Sequence, residues 1–192
     1  TAVRKVGESR YEGTVHDGWD IGGNANGGYL MAIAARAMAD HAGRPPLTVT
    51  GHYLRPGPPG DCVIDVATIK TGRRIVTVSA TVTMGDKAIL TLLGGFAEPT
   101  PGGPSRAANG PVEVASFDAL APDPSVDMSQ APGLMSQVDV RMVTEDRGFA
   151  LGEPSGTAQM RGWFALADGE EIDEFALLLA ADAFPPPIFN SG

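Results

Sequence analysis

Two places in this chain hold residues suited to chemistry on a carbonyl group. The first is Asp182, which follows the apolar run Phe175-Ala176-Leu177-Leu178-Leu179-Ala180-Ala181. An acidic side chain at a helix C-terminus opposes the helix dipole, and burial there would further disfavour its charge. A carboxylate kept at such a place is suited to accept a proton from water. The alternative is a solvated linker aspartate where Pro185-Pro186-Pro187 stop the helix. The second place is the turn Gly22-Gly23-Asn24-Ala25-Asn26-Gly27-Gly28, which opens a helix. Backbone N–H groups at a helix N-terminus can hold a carbonyl oxygen and the negative charge that develops on it, which makes Asn24, Asn26, Gly27 and Gly28 candidate binding residues. The competing reading is an Asn N-cap followed by glycines chosen for close packing. The turn lacks the Gly-Lys-Ser/Thr ending of a phosphate-binding P-loop. Arg73 and Arg74, in a turn between strands, are either a phosphate contact or a solvated pair. His52 reads as a structural strand residue, and His16 and His41 are weaker still. With no His pair at ligand spacing and Cys62 the single cysteine, no metal is expected.

Several elements must position these groups. Tyr11 to His16 alternates as a short strand, and residues from Gly27 or Gly28 to His41 read as a helix with little polar surface. Gly43 and Pro45-Pro46 stop it, and its alanines and glycines allow a sheet to approach closely. Four strand-like runs follow: Leu47–Leu54, Cys62–Thr71, Ile75–Met84 and Lys87–Phe96. Their short connections, among them Gly85-Asp86, predict antiparallel neighbours in a meander. Residues 99–136 are rich in Pro and Gly and read as a connector. Val138–Val143 and Ala158–Leu166 then read as strands, and Ile172 to about Ala183 as a second apolar helix. The order of strand, turn, buried helix and proline stop thus occurs twice, as in a structural duplication. The division expected is 1–98, a first repeat; 99–136, a connector; and 137–192, the beginning of a second. The second helix has no covering strands after it in this sequence, so a continuation of the chain or another chain is expected to supply them.

The 192 residues are 43% hydrophobic and carry a formal net charge of −9. That balance disfavours nucleic acid and anionic membrane surfaces as partners. No apolar run is long enough to span a bilayer, and cytoplasm is the expected compartment. Exposed sheet edges point to a homo-oligomer.

Trp19, Gly22-Gly23 and Asn26-Gly27-Gly28-Tyr29-Leu30, with His52-Tyr53-Leu54-Arg55-Pro56, Gly72-Arg73-Arg74 and Gly94-Gly95-Phe96, resemble the thioesterase-like superfamily, the double-hotdog proteins related to acyl-CoA thioesterase II. Arg161-Gly162-Trp163-Phe164 and Ala181-Asp182-Ala183-Phe184-Pro185-Pro186 resemble the start of that family's second hotdog. The resemblance implies an α+β double hotdog, each repeat a long helix wrapped by a curved antiparallel sheet, with the second repeat incomplete here. It implies hydrolysis of a fatty acyl-CoA to free acid and CoA, with no cofactor beyond the CoA of the substrate. In that family an Asp on the second helix orients water together with a Thr and a Gln from later strands. Asp182 matches the Asp; the Thr and Gln would fall beyond Gly192. The alternative implied is a non-catalytic acyl-CoA binding or assembly module. A hotdog hydratase ranks last, because no His is well placed.

Overall fold

The first helix, α1 (Gly27–Ala42), is bounded by the two signals that its sequence carries. Asn26 caps it, its side-chain oxygen accepting from Tyr29 N–H at 2.9 Å. Gly43 closes it in the left-handed conformation (φ 65°), which a glycine adopts without strain, and donates to Ala39 O at 2.8 Å. These details come from a computed structural model that describes residues 1–100, 102, 110, 112–120 and 131–192.

Before α1 come β1 (Val3–Lys5), β2 (Arg10–Val15) and a small hairpin of β3 (Asp20–Ile21) and β4 (Asn24–Ala25) that turns over Gly22-Gly23. After it come β5 (Pro46–Tyr53), β6 (Gly60–Thr71), β7 (Val76–Met84) and β8 (Lys87–Phe96). The four strand runs after α1 exist, but their neighbours differ from a simple meander. The six-stranded antiparallel sheet has the order β1-β2-β6-β7-β8-β5. Of the four strands after α1, only β6, β7 and β8 are neighbours in sequence order. The proline-rich segment after Tyr53 is a crossover instead of a hairpin: it carries the chain from the β5 edge to β6, which pairs with β2. Inward residues of these strands, including Tyr11, Ile64, Val78, Val82, Leu90 and Phe96, form one core with Tyr29, Ile33, Ala34, Ala37 and Met38 of α1. Cys62 lies in this core, and burial pushes its thiol up to about 11.

Of the expected connector, residues 101, 103–109, 111 and 121–130 lie outside the described residues; the rest includes single helical turns at Phe117–Leu120 and Gly133–Ser136. β9 (Val138–Met142) pairs antiparallel with β10 (Gly162–Leu166), which begins four residues later than its alternation suggests. α2 (Ala176–Ala183) is also shorter than predicted. Asp173 sets its start, because its carboxylate accepts from the N–H groups of Phe175 at 3.0 Å and Ala176 at 2.7 Å, turning the chain there before the helix begins. Burial acts to raise the Asp173 pKa, but the Ala176 N–H and the Arg36 guanidinium outweigh it and hold the carboxyl below the usual carboxylate value.

The two helices lie side by side and antiparallel. Arg36, on the third turn of α1, pairs with Asp173 at 2.6 Å and covers the Phe175 ring at 4.4 Å, whereas Gly28, at the start of α1, meets the end of α2. The small residues of α1 therefore serve two faces. Ala34 and Ala37 face the sheet as expected, while Gly28, Ala32 and Ala35 form a strip that receives α2. A Cβ on Gly28 would sit 2.5 Å from Leu178 O and 2.9 Å from Leu179 Cα, both backbone atoms. Helix propensity alone favours Ala over Gly by about 1 kcal/mol. Gly28→Ala is expected instead to destabilise the protein by roughly 2 kcal/mol or more, because the helices must part. Urea unfolding measures both size and sign, and a stabilised variant would contradict this packing.

Candidate active site

The end of α2 meets the beginning of α1 through four hydrogen-bonding groups. Asn26 is 3% exposed, and each polar atom of its side chain is used. Its oxygen caps α1, as described above. Its Nδ2 donates to the Asp182 backbone oxygen at 3.0 Å and to Asp182 Oδ2 at 2.9 Å. The first of these bonds satisfies a carbonyl at the end of α2 that has no partner within the helix. Gly28 N–H also donates to Asp182 Oδ2, at 3.0 Å. Oδ1 accepts no hydrogen bond from a described residue.

The electrostatics differ from the sequence expectation in two respects. Asp182 stands at the wrong end of its own helix, but its carboxylate reaches the N-terminus of the neighbouring one, where the α1 dipole favours negative charge. It is an exposed residue, not a buried one. Asn190, Asp146 and Asn26 are the buried polar residues of the described chain.

Tyr53, at the end of β5, completes the junction. Its hydroxyl donates to Gly27 O at 2.7 Å. Burial first, and the Asp182 charge second, push its pKa up to about 12, so it stays a hydrogen-bond donor well into the alkaline range. A Cβ on Gly27 would lie 2.9 Å from the Tyr53 hydroxyl and 3.0 Å from Asp182 Oδ2. Glycine lets the phenol and the carboxylate close on the same helix end without displacing either. An open pocket of about 510 Å³ lies against this junction, lined by Ala25, Gly27, Leu30, Tyr53, Arg55 and Asp182, with Leu54, Pro56 and Gly57. A larger cleft of about 780 Å³ runs along β1, β2 and β6, but it contains no part of the junction.

The predicted site residues thus separate into groups. Asn26, Gly27, Gly28 and Asp182 come together. Asn24 does not join them: it is exposed in the β3–β4 hairpin. The amides at the start of α1 are also more committed than expected. Tyr29 N–H is held by the Asn26 cap and Gly28 N–H by Asp182, which leaves Gly27 N–H as the amide that donates to no described residue. Arg73 and Arg74 are exposed in the β6–β7 turn, where Arg74 O accepts from Arg44, just past the end of α1. With 16 residues in α1, that turn is about 24 Å along the helix from Asp182. The cation on the pocket wall is Arg55. It is exposed, and its Nη1 donates to Ala88 O at 2.8 Å. Tyr53 and Arg55 both stand in the block His52-Tyr53-Leu54-Arg55-Pro56, in which His52 is exposed as well. Trp19 also has a positioning role. It stacks on Tyr29 with ring centroids 4.6 Å apart, and its carbonyl accepts from Asn26 N–H at 2.9 Å.

The profile of the acyl-CoA thioesterase N-terminal domain matches residues 15–106, and that of the acyl-CoA thioesterase C-terminal domain matches residues 113–191. The chain belongs to this acyl-CoA thioesterase family, within the thioesterase-like superfamily. A candidate thioesterase II from Thermobifida fusca, 28% identical, superposes with a TM-score of 0.87 over 98% of this chain and 73% of that one. A hot dog protein of unknown function from Alicyclobacillus acidocaldarius, 17% identical, shares the fold with a TM-score of 0.76 over 99% of this chain and 69% of that one. The thioesterase-like protein TwmA of Talaromyces wortmannii is 25% identical over 96% of this chain, which spans 61% of the length of that relative.

Proposed function

We propose that this protein is a double-hotdog thioesterase that hydrolyses acyl-CoA thioesters at the junction of α1 and α2. The observation that carries the reading is the Asp182 carboxylate, held by Asn26 Nδ2 and Gly28 N–H on one oxygen while the other, beside the adjoining pocket, accepts from no described residue and is free to hold a water. Asp182 takes a proton from that water as its oxygen attacks the thioester carbonyl carbon. Gly27 N–H donates to the oxygen on which negative charge develops. The C–S bond then breaks, the carboxylic acid forms, and the CoA sulfur leaves with the proton that Asp182 took from the water, which restores the carboxylate. General-base assistance of this kind contributes about 10²–10⁴-fold, and an oxyanion donor about 10²–10³-fold.

The same reading assigns roles outside the junction. Arg55, on the pocket wall, meets a phosphate of CoA in place of Arg73 and Arg74. Further strands, from a continuation of the chain or from another chain, cover the outer side of the second repeat, where Leu177, Ile188 and Phe189 are 59%, 64% and 54% exposed. The Thr and Gln that the family resemblance implies as partners of Asp182 belong to those strands.

Asp182→Asn keeps an acceptor for Gly28 N–H but removes the base. It is expected to lower kcat on acyl-CoA by about 10²-fold or more, with KM within a few-fold. Thiol release from a panel of acyl-CoAs measures this, and equal rates for the two proteins at every chain length would favour a non-catalytic binding module. Arg55→Gln is expected to raise KM about ten-fold for acyl-CoA and to leave KM for the matching N-acetylcysteamine thioester, which has no phosphates, within two-fold. A parallel loss on both substrates would remove Arg55 from phosphate recognition.

A further inference from the structure

The peptide group between Gly27 and Gly28 is held from both sides. Its carbonyl accepts from the Tyr53 hydroxyl at 2.7 Å, and its N–H donates to Asp182 Oδ2 at 3.0 Å. An amide whose oxygen accepts a hydrogen bond is a stronger N–H donor, because each bond in such a chain polarises the next. We infer that Tyr53 is a positioning residue for Asp182, acting through the Gly27–Gly28 peptide. The phenol does not supply or accept the reacting proton. It strengthens and orients the amide that fixes one carboxylate oxygen, and so sets where the other oxygen holds water.

Three further observations favour this role over simple packing. Tyr53 is 49% exposed, so burial of apolar surface accounts for little of its placement. Its hydroxyl, a donor at neutral pH, is given to a backbone carbonyl and not to solvent. Gly27 lies so close to both the hydroxyl and the carboxylate that a Cβ there would push them back. Tyr53 comes from β5, an edge strand of the sheet, whereas Asp182 comes from the second helix. The relay therefore ties the acidic group of one half of the chain to the sheet of the other.

The inference rests on the hydrolase reading for its kinetic effect but not for its spectroscopic one. In ¹⁵N-labelled protein, Tyr53→Phe is expected to move the Gly28 amide proton upfield and to lower kcat on acyl-CoA about three- to ten-fold, with KM within two-fold. Incorporation of 3-fluorotyrosine at position 53 keeps the ring and makes the hydroxyl a stronger donor; it is expected to move the same proton downfield, which decides the matter even where the Phe variant folds poorly. A Gly28 proton that neither change moves, or a loss confined to KM, would overturn the relay. Should Asp182→Asn leave activity intact, the hydrolase reading fails, while the Gly28 shifts still test the link between Tyr53 and the Asp182 amide.

Discussion

Asn26 is the residue on which the rest of the site depends. One side-chain amide caps the start of α1 with its oxygen and the end of α2 with its nitrogen, and the same nitrogen holds the Asp182 carboxylate. An amide is the side chain that can do this. A carboxylate would cap α1 equally well, but it has no proton to donate and would face another carboxylate. A serine or threonine would cap α1 but is shorter, with one proton in place of two. Because the residue is buried, each of these bonds matters more than its counterpart in water would.

The neighbouring glycines follow from this constraint. Two helix ends can share one side chain only where their backbones approach closely, and Gly28 allows α2 to lie against α1. Gly27 leaves room for the Tyr53 hydroxyl and the Asp182 carboxylate on opposite sides of one peptide. The strip Gly28, Ala32 and Ala35 continues the contact, and the Arg36–Asp173 pair closes it at the other end. A partly exposed ion pair of this type contributes about 1 kcal/mol or less, so the backbone approach, not the charge, determines the packing. The opposed dipoles add to the arrangement, since the carboxylate at the unfavourable end of one helix occupies the favourable end of the other.

Much of the fold could be read from local signals, and the site only in part. The bounds of α1 were legible because Asn26 and Gly43 are cap residues whose chemistry is local. The strands were legible from alternation, but the place of β5 at the far edge beside β8 was not: strand partnership depends on contacts distant in sequence, and a proline-rich turn looks much the same as a crossover. Asp182 could be singled out as an oddly placed acid, yet nothing local shows that it bonds to Gly28, 154 residues away. Tyr53 and Arg55 lay inside a block recognised for its family likeness, but a tyrosine and an arginine on a strand carry no periodic or capping signal. Arg73 and Arg74 stand out in the sequence as a charged pair, and only the length and direction of α1 show how far they stand from the acid.

The central claim is that Asn26 and Asp182 form one hydrogen-bonded unit that joins the two helices. Exchanging the two residues tests it most directly, by urea unfolding at neutral pH. Asn26→Asp alone leaves two carboxylates facing each other and is expected to cost about 1–3 kcal/mol. Adding Asp182→Asn restores a donor facing an acceptor, and the double variant is expected to recover more than half of that loss. If the two changes instead cost independent, additive amounts, the residues are not coupled and the account of the junction is wrong.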